Sequence, residues 1–345
     1  MRIERESLSY DDILIVPQYS DIESRKEVNI GNWLDQDRNL WFDLPIISAP
    51  MDTVTEIPMA ITLARMGGLG IVHRYNSVEQ QVQIAETLFE NIDPSKVGFA
   101  IGITGDYLKR ATELVNLGAR ILCVDVAHGD HILVKNALSH LRGELGNAPH
   151  IMAGNVATLD GFNNLADWAV NSIRVGIGGG SICSTRIQTG HGVPSLDSVV
   201  ECARTHHNVA VIADGGIKNS GDIVKALAVG GDFAMLGSLL AGTSDTPGEI
   251  IVQENGSKSK VYRGMASKDA QMDWRGKTSS LEGISTTIPY KGATREIIEQ
   301  LENGIRSGFS YSGCRTIGQL WSKAKFVKQS PSAQRESDTH ILSRR

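Results

Sequence analysis

The chain has few aromatic residues: Phe, Trp and Tyr fill 6% of its 345 positions. It has four cysteines, Cys123, Cys183, Cys202 and Cys314, with no C-x-x-C pair and no disulfide-scaffold spacing. It has no basic excess, with 34 Lys+Arg against 39 Asp+Glu and a net charge of −5. No apolar run reaches the ~18 residues that span a bilayer, and the opening MRIERESLSYDD has no apolar core of a secretory signal. Each shortage excludes something. Few aromatics argue against an aromatic-rich sandwich, the acidic balance against general nucleic-acid binding, and the uniform polarity against a membrane protein. The expectation is a cytoplasmic, reduced protein with no nucleic-acid partner, in which a cysteine is a buried apolar group or a nucleophile.

Glycine is plentiful, at 36 residues, and 41% of the chain is apolar, enough to bury a core. Eight short runs are almost continuously apolar: 44–51, 68–73, 96–102, 120–127, 150–156, 172–177, 209–216 and 233–238. That pattern suits parallel strands buried on both faces. Amphipathic stretches lie between them, such as VEQQVQIAETLFE and YLKRATELVNLG. One, GDIVKALAVGG, begins after Asn219-Ser220 and stops at Gly230-Gly231, a capped start and a glycine end. Eight alternating units predict an α/β fold, a (β/α)8 TIM barrel, with an open doubly wound sheet as the alternative. Residues 1–345 read as one catalytic domain. A polar segment at about 243–293 has the makings of a flap over the barrel mouth. The stretch 294–308 reads as one more helix, and a polar tail at about 327–345 reads as partly mobile or used in assembly.

In such a barrel the site lies where the strands end. After the sixth run comes Gly176-Ile177-Gly178-Gly179-Gly180-Ser181-Ile182-Cys183-Ser184-Thr185. Two readings stand: a nucleophilic Cys183 on a mobile loop with Thr185 moving a proton, or a turn with a buried thiol. The seventh and eighth runs end in Asp214-Gly215-Gly216 and Gly237-Ser238, where such barrels often hold phosphate on backbone N–H groups. Asp214 would repel a phosphate but suits paired sugar hydroxyls; it could equally cap a helix. The fourth run ends in Asp125-Val126-Ala127-His128-Gly129 without metal-ligand spacing. In the flap, Glu282 is an acid/base candidate or a solvated charge.

Eight motifs in order, SAPMDTVTE, GGLGIVHR, GIGGGSICSTR, ADGGI, MLGSLLAGT, YRGMAS, EGISTTIPYKG and RSGFSYSGC, make the chain resemble the IMP dehydrogenase / GMP reductase family from about residue 6 to 341. The resemblance implies a purine nucleoside monophosphate substrate whose C2 is attacked by Cys183, with Thr185 and Glu282 handling protons. It implies phosphate against Ser181, Gly216, Gly237, Ser238 and Tyr262, ribose on Asp214, the base by Gly264, Met265 and Glu282, and Ser267 among the substrate-binding residues. It also implies a nicotinamide dinucleotide along Asp125, Ala127, His128 and Gly129, a potassium ion on carbonyls of Gly178, Gly180 and Cys183, and a homotetramer.

Within that family two reactions share the Cys adduct. The dehydrogenases hydrolyse it with an Arg-Tyr pair in the flap. The reductases need no such water and use a Thr-Glu pair on the departing amine. This flap has no Arg-Tyr dipeptide, GMAS departs from the usual GMGS of the dehydrogenases, and no regulatory insertion separates the second and third strands. SAPMDTVTE, GGLGIVHR and the C-terminal SGCRTI pull toward the dehydrogenase. The flap carries the step that differs, so the expectation is an NADPH-dependent GMP reductase, the alternative an NAD-dependent IMP dehydrogenase. A nucleotide-binding relative without turnover and a flavin enzyme are the further readings.

Overall fold

A computed structural model describes residues 6–35, 39–279, 281–337 and 339. The eight apolar runs form eight parallel strands: β1 (Ile46–Ser48), β2 (Leu69–Val72), β3 (Val97–Ile101), β4 (Ile121–Asp125), β5 (His150–Val156), β6 (Ser172–Val175), β7 (Ala210–Asp214) and β8 (Phe233–Leu236). They pair in chain order, and β8 returns to β1 with Ala234 opposite Ile46, which closes the barrel. Closure removes the two free edges an open sheet would leave, so the open-sheet alternative falls.

Helices follow the strands: α1 (Ile57–Arg65), α2 (Val78–Phe89), α3 (Tyr107–Leu117), α4 (Ile132–Leu145), α5 (Leu159–Asp167), α6 (Thr185–Thr189), α7 (Ser195–Cys202) and α8 (Ser220–Ala228). Asn219 caps α8 by accepting the Asp222 N–H at 2.9 Å, as its sequence demands. Helix α5 contains Asp160, Gly161, Asn163 and Asn164, which are poor helix formers. It forms because Thr158 accepts the Gly161 N–H and because Phe162 and Leu165 are buried against the barrel.

Strand alternation sorts the barrel into two cores. Ile121 and Cys123 of β4, with Ile47, Met152, Ile212 and Phe233, fill the interior, and Phe42, Leu34 and Leu40 join that cluster from the N-terminal segment. The intervening residues, such as Leu122 and Val124, pack outward with the helices. The same period of two turns Asp125, Arg174 and Asp214 inward at the C-terminal ends, and there the interior becomes polar.

Beyond β8 the expected polar insertion holds a three-stranded antiparallel sheet, β9 (Ile251–Val252), β10 (Lys258–Arg263) and β11 (Ser285–Pro289), and helix α9 (Lys268–Arg275). Helix α10 (Thr294–Tyr311) then returns to the barrel wall. The tail is more ordered than its polarity suggests: Phe326–Lys328 pairs antiparallel with Ile13–Ile15 near the N-terminus, and Pro331–Glu336 is helical. Residue 280 of the insertion, residues 338 and 340–345 of the tail and residues 1–5 lie outside the described residues. Among the described residues no helix is long and apolar enough to cross a membrane.

Candidate active site

A cavity of about 330 Å³ opens at the C-terminal ends of the strands. The loops after β4, β6, β7 and β8 line it, and so do residues 262–266 and 282–283 of the insertion. The insertion therefore covers the mouth. It is tied down at several points. Arg263 at the end of β10 bridges Asp52 at 2.6 Å and Asp273 of α9 at 2.5 Å. The Tyr75 hydroxyl donates to the Met265 carbonyl at 2.7 Å, and the Tyr75 ring stacks on Trp274 with centroids 5.7 Å apart.

Cys183 is half-buried and lines this cavity, while Cys123, Cys202 and Cys314 are buried. Burial pushes the Cys123 and Cys202 thiols up to about 12, which keeps them protonated and inert. The Cys183 loop closes on itself as its N–H donates to the Gly180 carbonyl at 3.1 Å. It also pairs with the insertion. The Ser184 N–H donates to the Glu282 carbonyl at 2.9 Å, and the Ile284 N–H to the Ile182 carbonyl at 3.0 Å. This bridge, Cys183 opposite Gly283, brings residues 100 positions apart to one place and aims Glu282 at the thiol loop. The result is a chain of side chains: the Cys183 thiol donates to Thr185 Oγ1 at 3.1 Å, and Thr185 Oγ1 donates to Glu282 Oε2 at 2.8 Å. Of the readings left open, the buried-turn reading of Cys183 and the solvated-charge reading of Glu282 do not fit this geometry.

The phosphate candidates converge on the opposite side. Tyr262 is buried, its hydroxyl hydrogen-bonds Ser181, and burial raises the phenol. A Cβ on Gly237 would meet the Tyr262 hydroxyl at 3.1 Å, so glycine keeps that spot open. Among the described residues the N–H groups of Gly216 and Ser238 donate to no protein acceptor, and such groups suit an anion. Lys291, exposed at the end of the insertion, donates to the carbonyls of Ser238 and Leu239. Nothing in its sequence position marked it, because only the fold brings the insertion's end under the β8 loop. Gly176 has φ +143°, and a Cβ there would sit 2.0 Å from the Asp214 carbonyl, so β6 and β7 can diverge there only with glycine.

Asp214 caps no helix. Its Oδ2 accepts Asn155 Nδ2 at 2.8 Å and Arg174 Nη2 at 2.9 Å, and every hydrogen bond it makes among the described residues falls on that oxygen. Asp125 and Ala127 line the cavity as expected, and Gly264 and Met265 do too. Three expected residues do not. His128 is exposed beyond the rim. Gly129 turns its N–H onto the Asn155 carbonyl at 2.7 Å and is buried behind the cavity. Ser267 is 1% exposed and caps α9, accepting the Ala270 N–H, so its hydroxyl serves the helix and not a ligand. Conversely, Arg174, Asn155, Arg74 and Tyr75 line the cavity and went unmarked. Arg174 lay within an apolar run and Asn155 at a strand end, where alternation could have revealed them. Gly178 and Gly180 line the cavity beside Cys183. Arg186 braces that turn from behind by donating to the carbonyls of Ile177 and Val193.

Comparison with known proteins agrees with this picture. The profile of the IMP dehydrogenase / GMP reductase domain matches residues 7–340. An inosine-5'-monophosphate dehydrogenase of Nitrosopumilus maritimus is 31% identical over 97% of this chain and 98% of its own. A GMP reductase of Leishmania donovani is 30% identical over 98% of both. Among solved structures, a GMP reductase of Trypanosoma brucei in complex with guanosine 5'-monophosphate superposes with a TM-score of 0.90 at 30% identity, covering 97% of this chain and 98% of that one.

Proposed function

The chain belongs to the IMP dehydrogenase / GMP reductase family, whose members are purine nucleotide oxidoreductases, and we propose that it is a GMP reductase. The observation that carries this is the hydrogen-bonded chain Cys183–Thr185–Glu282, held by the bridge between the thiol loop and the insertion. A thiol with a proton relay ending on a carboxylate suits expulsion of an amine, a step that needs a proton delivered to the leaving nitrogen. The overall reaction is GMP plus NADPH plus two protons giving IMP, NADP+ and ammonium.

In this reading GMP binds with its phosphate on the N–H groups of Gly216 and Ser238, beside Ser181, Tyr262 and Gly237. Asp214 takes a ribose hydroxyl on its remaining oxygen, and Gly264 and Met265 flank the base. Cys183 passes its proton through Thr185 to Glu282, and the sulfur adds to purine C2. Glu282 then returns a proton through Thr185 to the C2 amino nitrogen, which leaves as ammonia when the ring re-forms its C=N bond. The reduced dinucleotide, bound along Asp125 and Ala127, supplies the hydride that C2 receives. Loss of the thiolate then gives IMP. The carbonyls of Gly178, Gly180 and Cys183, all on one turn, are hard oxygen donors of the type that suits potassium, and the ion would stiffen the thiol loop. The same reading takes the chain as a single cytoplasmic barrel with residues 243–293 as its flap, acting as a homotetramer.

One observation favours the dehydrogenase. Burial raises the Tyr75 phenol, and the positive charges of Arg74 and then Arg275 of α9 work against it, so an Arg of the insertion lies within electrostatic range of a Tyr without being adjacent in sequence. Arg275 is exposed and outside the cavity lining, which is why the reductase reading stands first. A single assay in potassium buffer decides between them. Oxidation of NADPH by GMP, with IMP and ammonium formed in equal amounts, supports the reductase. Reduction of NAD+ by IMP with no turnover of GMP overturns it.

A further inference from the structure

Arg174 has no step in the chemistry above, yet it occupies the centre of the barrel mouth. Strand alternation turns it inward on β6, where it is 7% exposed. Gly154 of β5 makes the room: a Cβ at that position would lie 2.6 Å from Arg174 Cβ. Its guanidinium forks between two carboxylates. Nη1 donates to Asp125 Oδ1 at 2.5 Å, while Nε and Nη2 donate to Asp214 Oδ2 at 3.1 and 2.9 Å. Burial works against the arginine's charge, and Asp214 and then Asp125 more than offset it, holding Arg174 protonated.

Asp125 ends β4 and Asp214 ends β7, and these strands do not touch each other. Arg174 is the group that spans them. Asn155 reinforces one side, donating to Asp214 Oδ2 and the Gly176 carbonyl at 2.8 Å each. Its own Oδ1 is buried and has no partner among the described residues. A planar fork with fixed donor directions cannot release one carboxylate without loosening the other.

We propose that Arg174 is a positioning residue that couples the two halves of the site: a ligand ordered against Asp214 orders Asp125 through the guanidinium, so each ligand tightens the other. This rests on the functional reading above for the assignment of the mononucleotide to Asp214 and the dinucleotide to Asp125. The coupling is positive because the first ligand bears the cost of ordering the shared cluster, and the second then binds a cluster already ordered.

The test is calorimetric titration of GMP with and without saturating NADP+, which forms a complex that does not turn over, on the wild type and on Arg174→Lys. The expected result is that NADP+ tightens GMP at least about fivefold in the wild type. In R174K that factor falls to about one, because an ammonium is a single point charge that cannot hold both carboxylates in a fixed fork. A purely structural role would weaken both ligands and leave their ratio unchanged. An equal factor in the two proteins overturns the proposal, and so does a factor of one in the wild type. Where circular dichroism shows R174K misfolded, Asp125→Asn replaces it at NADP+ concentrations shown by direct titration to saturate that variant, and GMP affinity must then be indifferent to NADP+. If GMP and NADP+ fail to bind while IMP and NAD+ bind, the reductase reading fails. The same ratio, measured with IMP and NADH, a pair that likewise does not turn over, then decides the role of Arg174 separately.

Discussion

In the proposed reaction Cys183, Thr185 and Glu282 would divide one task among three groups, the sulfur bonding to carbon, the hydroxyl bridging a gap and the carboxylate storing the proton. Removing the sulfur removes the adduct, so Cys183→Ala should lower kcat for GMP reduction to background while GMP still binds, measured by steady-state kinetics and calorimetry. Glu282→Gln keeps the shape and the hydrogen bond from Thr185 but loses the proton store. It should lower kcat by about 10²–10⁴-fold with KM for GMP little changed, and a drop in affinity without a drop in kcat would refute the relay. Two of these residues were legible from spacing, since a thiol and a hydroxyl after four glycines invite the reading. Glu282 was not, because its significance depends on a bridge between segments 100 positions apart.

The elements carry a second layer of information. Helix α10 lies against α8 where Gly304 and Gly308 form a flat stripe one turn apart. A Cβ on Gly308 would approach Val224 Cγ2 to 2.8 Å, and one on Gly304 would approach Ser220 Oγ to 2.2 Å. Two effects of Gly308→Ala then oppose each other. Helix propensity favours alanine by about 1 kcal/mol, and overpacking costs about 1–3 kcal/mol. The clash is with a branched side chain in a packed interface, so we expect net destabilisation, read as a lower urea midpoint with an unchanged slope. A higher midpoint would mean that the two helices separate freely. The eight strands and most barrel helices could be read from period and caps. The insertion's sheet could not, because it pairs exposed residues such as Thr286 and Thr287 with β10.

For the whole molecule, the two ends of the barrel do different work. The C-terminal end holds the candidate site, and two titratable groups toward the other end contribute to the response of stability to pH. His150 starts β5 with Nε2 at 2.8 Å from Ser172 Oγ, and burial lowers its pKa from 6.5 to about 3. The unfolded chain takes up that proton near pH 6.5 and the folded one only near 3, so stability is lost as pH falls between them. The slope is up to about 1.4 kcal/mol per pH unit for one proton. Asp232, which accepts the Val211 N–H, is raised by burial from 3.8 to about 6. The folded chain holds this proton more tightly, so stability falls as pH rises from about 4 to 6. The two slopes oppose each other in that window. His150→Gln removes one of them, and its unfolding free energy should rise as pH falls from 6 to 4 relative to the wild type. Parallel wild-type and H150Q curves in urea titrations across that range would contradict the assignment. If the carbonyl turn at Gly178–Cys183, at the other end, is the seat of a potassium ion, exchange into sodium buffer should lower kcat with the fold intact by circular dichroism.

The amino-acid sequence by itself determined the barrel, because buried parallel strands must be apolar on both faces and that pattern can be read residue by residue. It also determined the position of the thiol loop and the phosphate glycines, since both follow strands and need backbone without side chains. Only the tertiary structure decided which charged residues meet. The Arg174 fork between Asp125 and Asp214, the approach of Glu282 to Thr185 and the burial of Ser267 under α9 all depend on distances between segments remote in the chain. Coulomb and hydrogen-bond energies fall off over a few ångströms, so sequence order alone does not reveal them.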